Sequence, residues 1–237
     1  MIVSFDIGVT TLAVAILEPY SNVNDIKNII KDTHEFIDKK DMTKIYTLLT
    51  KLNKSINNHM NVILLDVVNL VPNTKVKENS SVMITSRLKA YLKSLDKYIK
   101  NATILLEYQM GPNDLCRNIC SQILYHYSNL DNNFESLLDK ELPDTELNSM
   151  TIIPVIRVEI VGPSLKNKIN LDPDKTHHFF LDKYSSSYTA NKAHAKHNFS
   201  IWIKDSDYSI NHIPKKKIGH VADAIMMAVA WLKFSKK

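Results

Sequence analysis

The sequence predicts one α/β domain built on a mixed sheet, and three observations carry that prediction. A strand hairpin opens the chain, apolar runs of strand length then alternate with helical patterns, and an Ala- and Met-rich helix closes it. No internal repeat and no clean linker breaks this order, so residues 1–237 are expected to form a single domain. With 44% hydrophobic residues, the chain can bury one sizeable core.

The hairpin reads MIVSFDIGVTTLAVAILE. Ile2, Val3 and Phe5 make the β-branched and aromatic run of a buried strand, which ends on Asp6. Gly8 then permits a turn that a side chain would obstruct, and Thr11 to Leu17 returns as a second strand. A carboxylate is thereby held at the tip of a sheet. Burial there is costly unless the group binds a metal, a base or a hydrogen-bonding substrate.

Residues 20–61 are polar and mixed in charge and read as an insertion. Inside it Ile45, Leu48, Leu49, Leu52 and Ile56 recur at helical spacing after Asp41. NVILLDVVNL, residues 61–70, is a third strand. A helix capped by Ser80 or Ser81 follows to about Lys100, with Ile84, Leu88, Tyr91, Leu92, Leu95 and Ile99 as its apolar stripe.

Thr103 to Leu106 is a fourth strand and ends, like the first, on a carboxylate, Glu107. Gly111, Pro112 and Asn113 turn the chain into a helix to about Asn129 with two apolar sides. Leu115, Ile119, Ile123 and Leu130 form one; Cys116, Cys120, Leu124 and Tyr127 form the other. Such a helix is either deeply buried, or packs one side on the sheet and offers the second to another subunit. Residues 131–150 are acidic and loop-like, and IIPVIRVEIV (152–161) is a fifth strand.

Gly162 and Pro163 open a polar segment carrying Lys166, Lys168 and Lys175. Asp172 and Pro173 read as the cap and first position of a helix through Phe179, Phe180 and Tyr184. Residues 183–204 are hydrophilic and read as a mobile basic surface loop. Without an accompanying Cys, His177, His178, His194 and His197 read as surface or phosphate-contacting groups rather than zinc ligands. Lys215, Lys216 and Lys217 form a basic run, and the last helix runs from about His220 to Phe234.

Composition narrows the setting. No apolar run is long enough for a membrane-spanning helix, and the N-terminus enters a strand at once with no basic leader. Cys116 and Cys120 lie four apart in a helical pattern, a poor disulfide geometry that fits a reducing, intracellular location. The net charge of +5 and a pI near 9.0 point to a polyanionic partner.

The carboxylates then come together. If the strands ending at Asp6 and Glu107 are neighbours, about 4.8 Å apart, both acids converge at one edge of the sheet. His220 and Asp223, three apart at the start of the last helix, supply a further contribution. An acidic cluster without zinc spacing calls for a hard cation, Mg²⁺ or Mn²⁺. Two such ions about 4 Å apart activate water and stabilise a leaving 3′-oxygen in phosphodiester hydrolysis.

Five segments, in order and over nearly the whole chain, resemble the RuvC-like Holliday-junction resolvases of the ribonuclease H-like superfamily, and most of all the poxvirus and large-DNA-virus members. They are FDIGVTTLAVAIL, LDVVNL, ILLEYQMGPN, VGPSLKNKINLDPDK and HVADAIMMAVAW. The resemblance implies a mixed central sheet flanked by helices, with Asp6, Glu107 and Asp223 as metal ligands. It also implies that Lys166 and Lys175 contact the scissile phosphate or stabilise transition-state charge. The family has Asp-x-x-Asp on its last helix where this chain has His220-x-x-Asp223, so His220 is expected as a ligand or water activator. The expected activity is structure-selective nicking of four-way DNA junctions, in recombination or viral concatemer processing, leaving 5′-phosphates. Two Mg²⁺ per site are expected, replaceable by Mn²⁺, with Lys166, Lys168, Lys175 and Lys215 to Lys217 on the DNA. A homodimer would match the two strands to be cut. A viral origin would place the protein at cytoplasmic replication sites.

Two other readings start from the same residues. The first phosphate motif of actin- and sugar-kinase-like ATPases also reads like FDIGVTT, but Gly111, Gly162 and Gly219 form no second phosphate loop or adenosine site, so no nucleotide cofactor is expected. A nuclease-dead DNA-binding module would have lost one of the three acids, and Asp6, Glu107 and Asp223 are all present.

Overall fold

The computed structural model describes residues 1–8, 10–19, 44, 47, 60–71, 81–99, 101–107, 114–138, 156–204, 206 and 208–234, with side chains omitted at 129–138. A sheet of five strands runs through it: β1 (Ile2–Ile7), β2 (Thr11–Pro19), β3 (Met60–Asn69), β4 (Thr103–Glu107) and β5 (Arg157–Val161). The strand order is β3-β2-β1-β4-β5. β1 pairs antiparallel with β2 and parallel with β4, and β4 pairs parallel with β5. The sheet is mixed, as expected, and the strands ending on Asp6 and Glu107 are neighbours.

Among the described residues these helices cover the two faces: α1 (Ser81–Leu95), α2 (Asp114–Leu138), α3 (His177–Lys183), α4 (Ser187–Lys204) and α5 (Ile218–Phe234). Alternation along β1 decides what each face receives. Val3, Phe5 and Ile7 join Leu12, Val14, Ile104 and Leu106 in a core layer sealed by Ile84, Leu88 and Leu92 of α1 and by Ile119 and Ile123 of α2. Ile2, Ala13, Ala15 and Leu105 face the other way, against α5 and against Phe199 and Trp202 of α4. Because Asp6 lies two positions beyond Ser4 and Glu107 two beyond Leu105, both acids fall on the α5 side.

α5 is buried at every position from Val221 to Leu232, with Ala222, Ala224, Ala228 and Ala230 fully covered. Those short side chains let the helix lie close on β1 and β2. The hairpin turn closes with a bond from Gly8 N–H to the Thr11 carbonyl at 2.8 Å. A Cβ on Gly8 would stand 3.1 Å from that carbonyl oxygen, a tight contact, and 3.5 Å from His220 Cε1, an ordinary one, so glycine lets the turn pack closely.

Several local expectations need correction. Residues 187–204 are helix α4, not a loop. Ala190, His194, Ala195, Asn198, Phe199 and Trp202 make its buried face, and the two polar members of that face broke the apolar stripe. The helix expected from Asp172 begins instead at His177, after a turn in which Asp172 Oδ1 accepts from Asp174 N–H at 3.0 Å. α2 continues to Leu138, into the stretch read as loop. Of its two apolar sides, Cys116, Ile119, Ile123 and Tyr127 all belong to one buried core layer, with Leu115, Cys120 and Leu124 packed against it. Burial therefore accounts for the described members of both sides. Of the helix expected after Asp41, Lys44 and Thr47 are helical and the rest lies outside the described residues, as does the Gly111–Asn113 turn.

Candidate active site

Strand register delivers the first two acids. Phe5 pairs with Leu106, so the next residues, Asp6 and Glu107, stand side by side where the two parallel strands end. A register slip of one residue would turn either carboxylate into the opposite core layer. α5 delivers Asp223, which is 1% exposed, and His220 one turn before it. The turn at Leu165–Lys168, just after β5, brings in Lys166. These side chains line an open cavity of about 240 Å³ together with Gly8, Pro163, Tyr188, Asn191 and Lys192.

Opposite charges alternate through the site. Lys166 Nζ donates to both Glu107 oxygens at 3.1 Å and lies 3.5 Å from Asp223 Oδ1. Lys192 Nζ is bonded to Asp223 Oδ2 and lies 3.4 Å from Asp6 Oδ2. His220 Nδ1 lies 2.7 Å from the same Asp6 oxygen. The order is thus Glu107, Lys166, Asp223, Lys192, Asp6, His220, and each acid touches a cation or an imidazole.

The proton affinities follow from burial and these neighbours. Burial pushes Glu107 up, and the Asp6 charge adds to that against the pull of Lys166. Burial and Asp6 likewise raise Asp223, despite both lysines. At Asp6 burial is outweighed by the His220 hydrogen bond and the charges of Lys192 and Lys166, which hold it below the ordinary carboxylate range. Burial would lower both lysines, but the carboxylates around them win and keep them firmly protonated.

The donor set suits a hard divalent cation: oxygens from three carboxylates with one imidazole beside them. Asp223 Oδ1 is a buried carboxylate oxygen that makes no hydrogen bond among the described residues and has the Lys166 ammonium 3.5 Å away. As the side chains stand, no three acidic, His or Cys groups among the described residues are grouped closely enough to hold one ion. Ammonium groups lie between the carboxylates instead.

Of the residues singled out in the sequence, Asp6, Glu107, Lys166, His220 and Asp223 meet in this cavity. Lys175 does not line it; it is exposed in the turn before α3. Lys168 is exposed, its ammonium 5.4 Å from the Phe234 ring. Lys215 and Lys216 are exposed, and Lys217 bonds the Thr11 hydroxyl beside the hairpin turn. His194 is fully buried rather than on the surface, its Nε2 3.0 Å from Asn170 Oδ1. Sequence reasoning missed Lys192, Asn191 and Tyr188, all on the helix that had been read as loop. Only the spacing of Ala190, Ala195, Phe199 and Trp202 could have revealed it.

The mixed five-stranded sheet with helices on both faces is the architecture expected of a ribonuclease H-like fold. No family model and no curated protein matches the chain. Among solved structures it is similar to the fowlpox virus resolvase, determined with its substrate Holliday junction DNA. The TM-score is 0.51 at 14% identity, covering 98% of this chain and 96% of that one. Weaker likenesses are to Thermus thermophilus RuvC. In complex with a Holliday junction substrate it gives a TM-score of 0.42 at 12% identity, covering 97% and 90%. A second structure of Thermus thermophilus RuvC gives 0.43 at 11%, covering 98% and 93%. The chain shares its fold with that fowlpox virus structure.

Proposed function

We propose that this protein is a divalent-metal-dependent endonuclease that resolves four-way DNA junctions by paired nicks. The observation that carries the reading is the convergence of Asp6, Glu107 and Asp223 from three separate elements, with Lys166 among them, in one open cavity. The shared fold with a resolvase solved on junction DNA supports the substrate class.

Asp6, Glu107 and Asp223 would hold Mg²⁺ or Mn²⁺, and bound ions would supply an activated water and charge stabilisation at the leaving 3′-oxygen. Lys166, fixed by Glu107, sets a positive charge beside the phosphoryl group, where it counters charge that grows in the transition state. His220 directs Nδ1 at Asp6, which leaves Nε2 as the ring atom for a ligand or a proton. Lys168, Lys175, Lys215 and Lys216 are placed in solvent, where they can meet phosphates on the junction arms. Products carry 5′-phosphate and 3′-hydroxyl ends.

Paired nicking calls for two sites related by a twofold axis, so the protein acts as a homodimer. The test is incubation of the native protein with a synthetic four-way junction and with linear duplex of the same sequence, in Mg²⁺ or Mn²⁺. Symmetric nicks confined to the junction support the reading; an untouched junction removes it.

A further inference from the structure

We propose that Lys192 is a stand-in cation: its ammonium holds Asp6 and Asp223 together in the metal-free protein and is displaced when a divalent ion binds. The inference rests on reading Asp6, Glu107 and Asp223 as the metal centre. Asp6 and Asp223 are buried acids on different elements, and two such charges repel unless something positive lies between them. Lys192 does lie there, bonded to Asp223 Oδ2 and 3.4 Å from Asp6 Oδ2. A divalent ion needs those same oxygens, so ammonium and metal exclude one another.

The two lysines of the site are not equivalent in this respect. Lys166 is 8% exposed and donates to both oxygens of Glu107, an acid Lys192 does not touch. Lys192 is 25% exposed and sits one helical turn after Tyr188, which is 69% exposed at the cavity. It has solvent to move into, while Lys166 has none. Displaced from the two acids, its ammonium remains at the cavity, where an anionic substrate would be its next partner. Lys192 is therefore a positioning residue. It keeps the acids preassembled before the metal arrives and sets the metal affinity by competing for the same atoms.

The test compares the native protein, Lys192→Met and Lys192→Arg, all stripped of metal, by Mn²⁺ titration and by melting with and without excess Mn²⁺. Lys192→Met should bind Mn²⁺ about tenfold more tightly, the worth of one lost competing contact. It should melt lower than native without metal and gain more on metal addition. Lys192→Arg should restore native behaviour without metal. A Lys192→Met protein with unchanged or weaker Mn²⁺ affinity, or with melting lowered equally in both conditions, overturns the stand-in role. If neither native protein nor Lys192→Met binds Mn²⁺, the metal centre itself fails. Binding by the native protein that Asp6→Asn leaves unchanged has the same consequence.

Discussion

Single atoms decide the chemistry of this site. Glu107 and Lys166 form a buried pair in which the acid orients the lysine, and Asp223 with Glu107 keeps it charged against burial, so its removal should touch chemistry more than docking. Lys166→Ala is expected to slow junction cleavage by about 10²–10³-fold, the usual worth of one positioned charge. Junction affinity in a gel-shift assay should stay near native; loss of binding to the same extent would make Lys166 a docking residue. Gly8 is the second decisive position. An added methyl 3.1 Å from the Thr11 carbonyl must push the turn outward, and the His220 ring lies 3.5 Å beyond it. Gly8→Ala should cost about 1–2 kcal/mol in urea denaturation and lower activity with it. A variant as stable as native would show that the turn has slack. The residues that make these arguments were readable in the sequence, because acids at strand ends and a lone turn glycine are local signals. Lys192 was not readable, since a lysine among lysines carries no mark until its helix is placed.

At the scale of elements, the site depends on α4 being fixed against the segment that follows Lys166. A buried polar clamp does this. Asn198 accepts from Leu171 N–H at 2.9 Å and donates to the Ile169 carbonyl at 2.9 Å, and His194 Nε2 lies 3.0 Å from Asn170 Oδ1. Burial, with His177 and His197 nearby, lowers the His194 pKa from its ordinary 6.5 to about 4. The folded protein therefore binds fewer protons than the unfolded chain between those values. Stability is complete above pH 6.5 and falls as pH drops toward 4, by up to about 3 kcal/mol from this residue. Urea midpoints measured from pH 7 to pH 4.5 should show that fall, and His194→Gln should flatten it. An equal slope in the variant would place the effect elsewhere. This clamp also explains why α4 was missed: His194 and Asn198 take buried positions where an amphipathic pattern shows apolar ones. The strands, by contrast, were legible in type and order. Strands buried on both faces read as continuous apolar runs, and β1 is buried from Ile2 to Ile7.

The whole molecule combines a sheet that aligns two acids, the buried helix α5 that adds the third, and a chain of net charge +5. What the sequence could not supply is distance. Asp6 and Asp223 are 217 positions apart, and only folding shows that cations join them. The net charge makes its own prediction: junction affinity should fall linearly on a log–log plot against salt, with a slope of about −0.9 for each phosphate contacted. Replacing both Lys215 and Lys216 by Ala should reduce that slope by about 2, and an unchanged slope would take this basic run off the DNA. Sedimentation at micromolar protein should give a dimer; a monomer would remove the paired-nick mechanism while leaving the site intact. The central claim is that three acids from three elements form one cutting centre for branched DNA. It is tested most directly by single-turnover cleavage of a four-way junction in Mg²⁺ by the native protein, Asp6→Asn, Glu107→Gln and Asp223→Asn, with junction binding measured alongside. The account predicts symmetric nicking by the native protein and its loss in all three variants while binding persists; nicking at the native rate by any of them would contradict it.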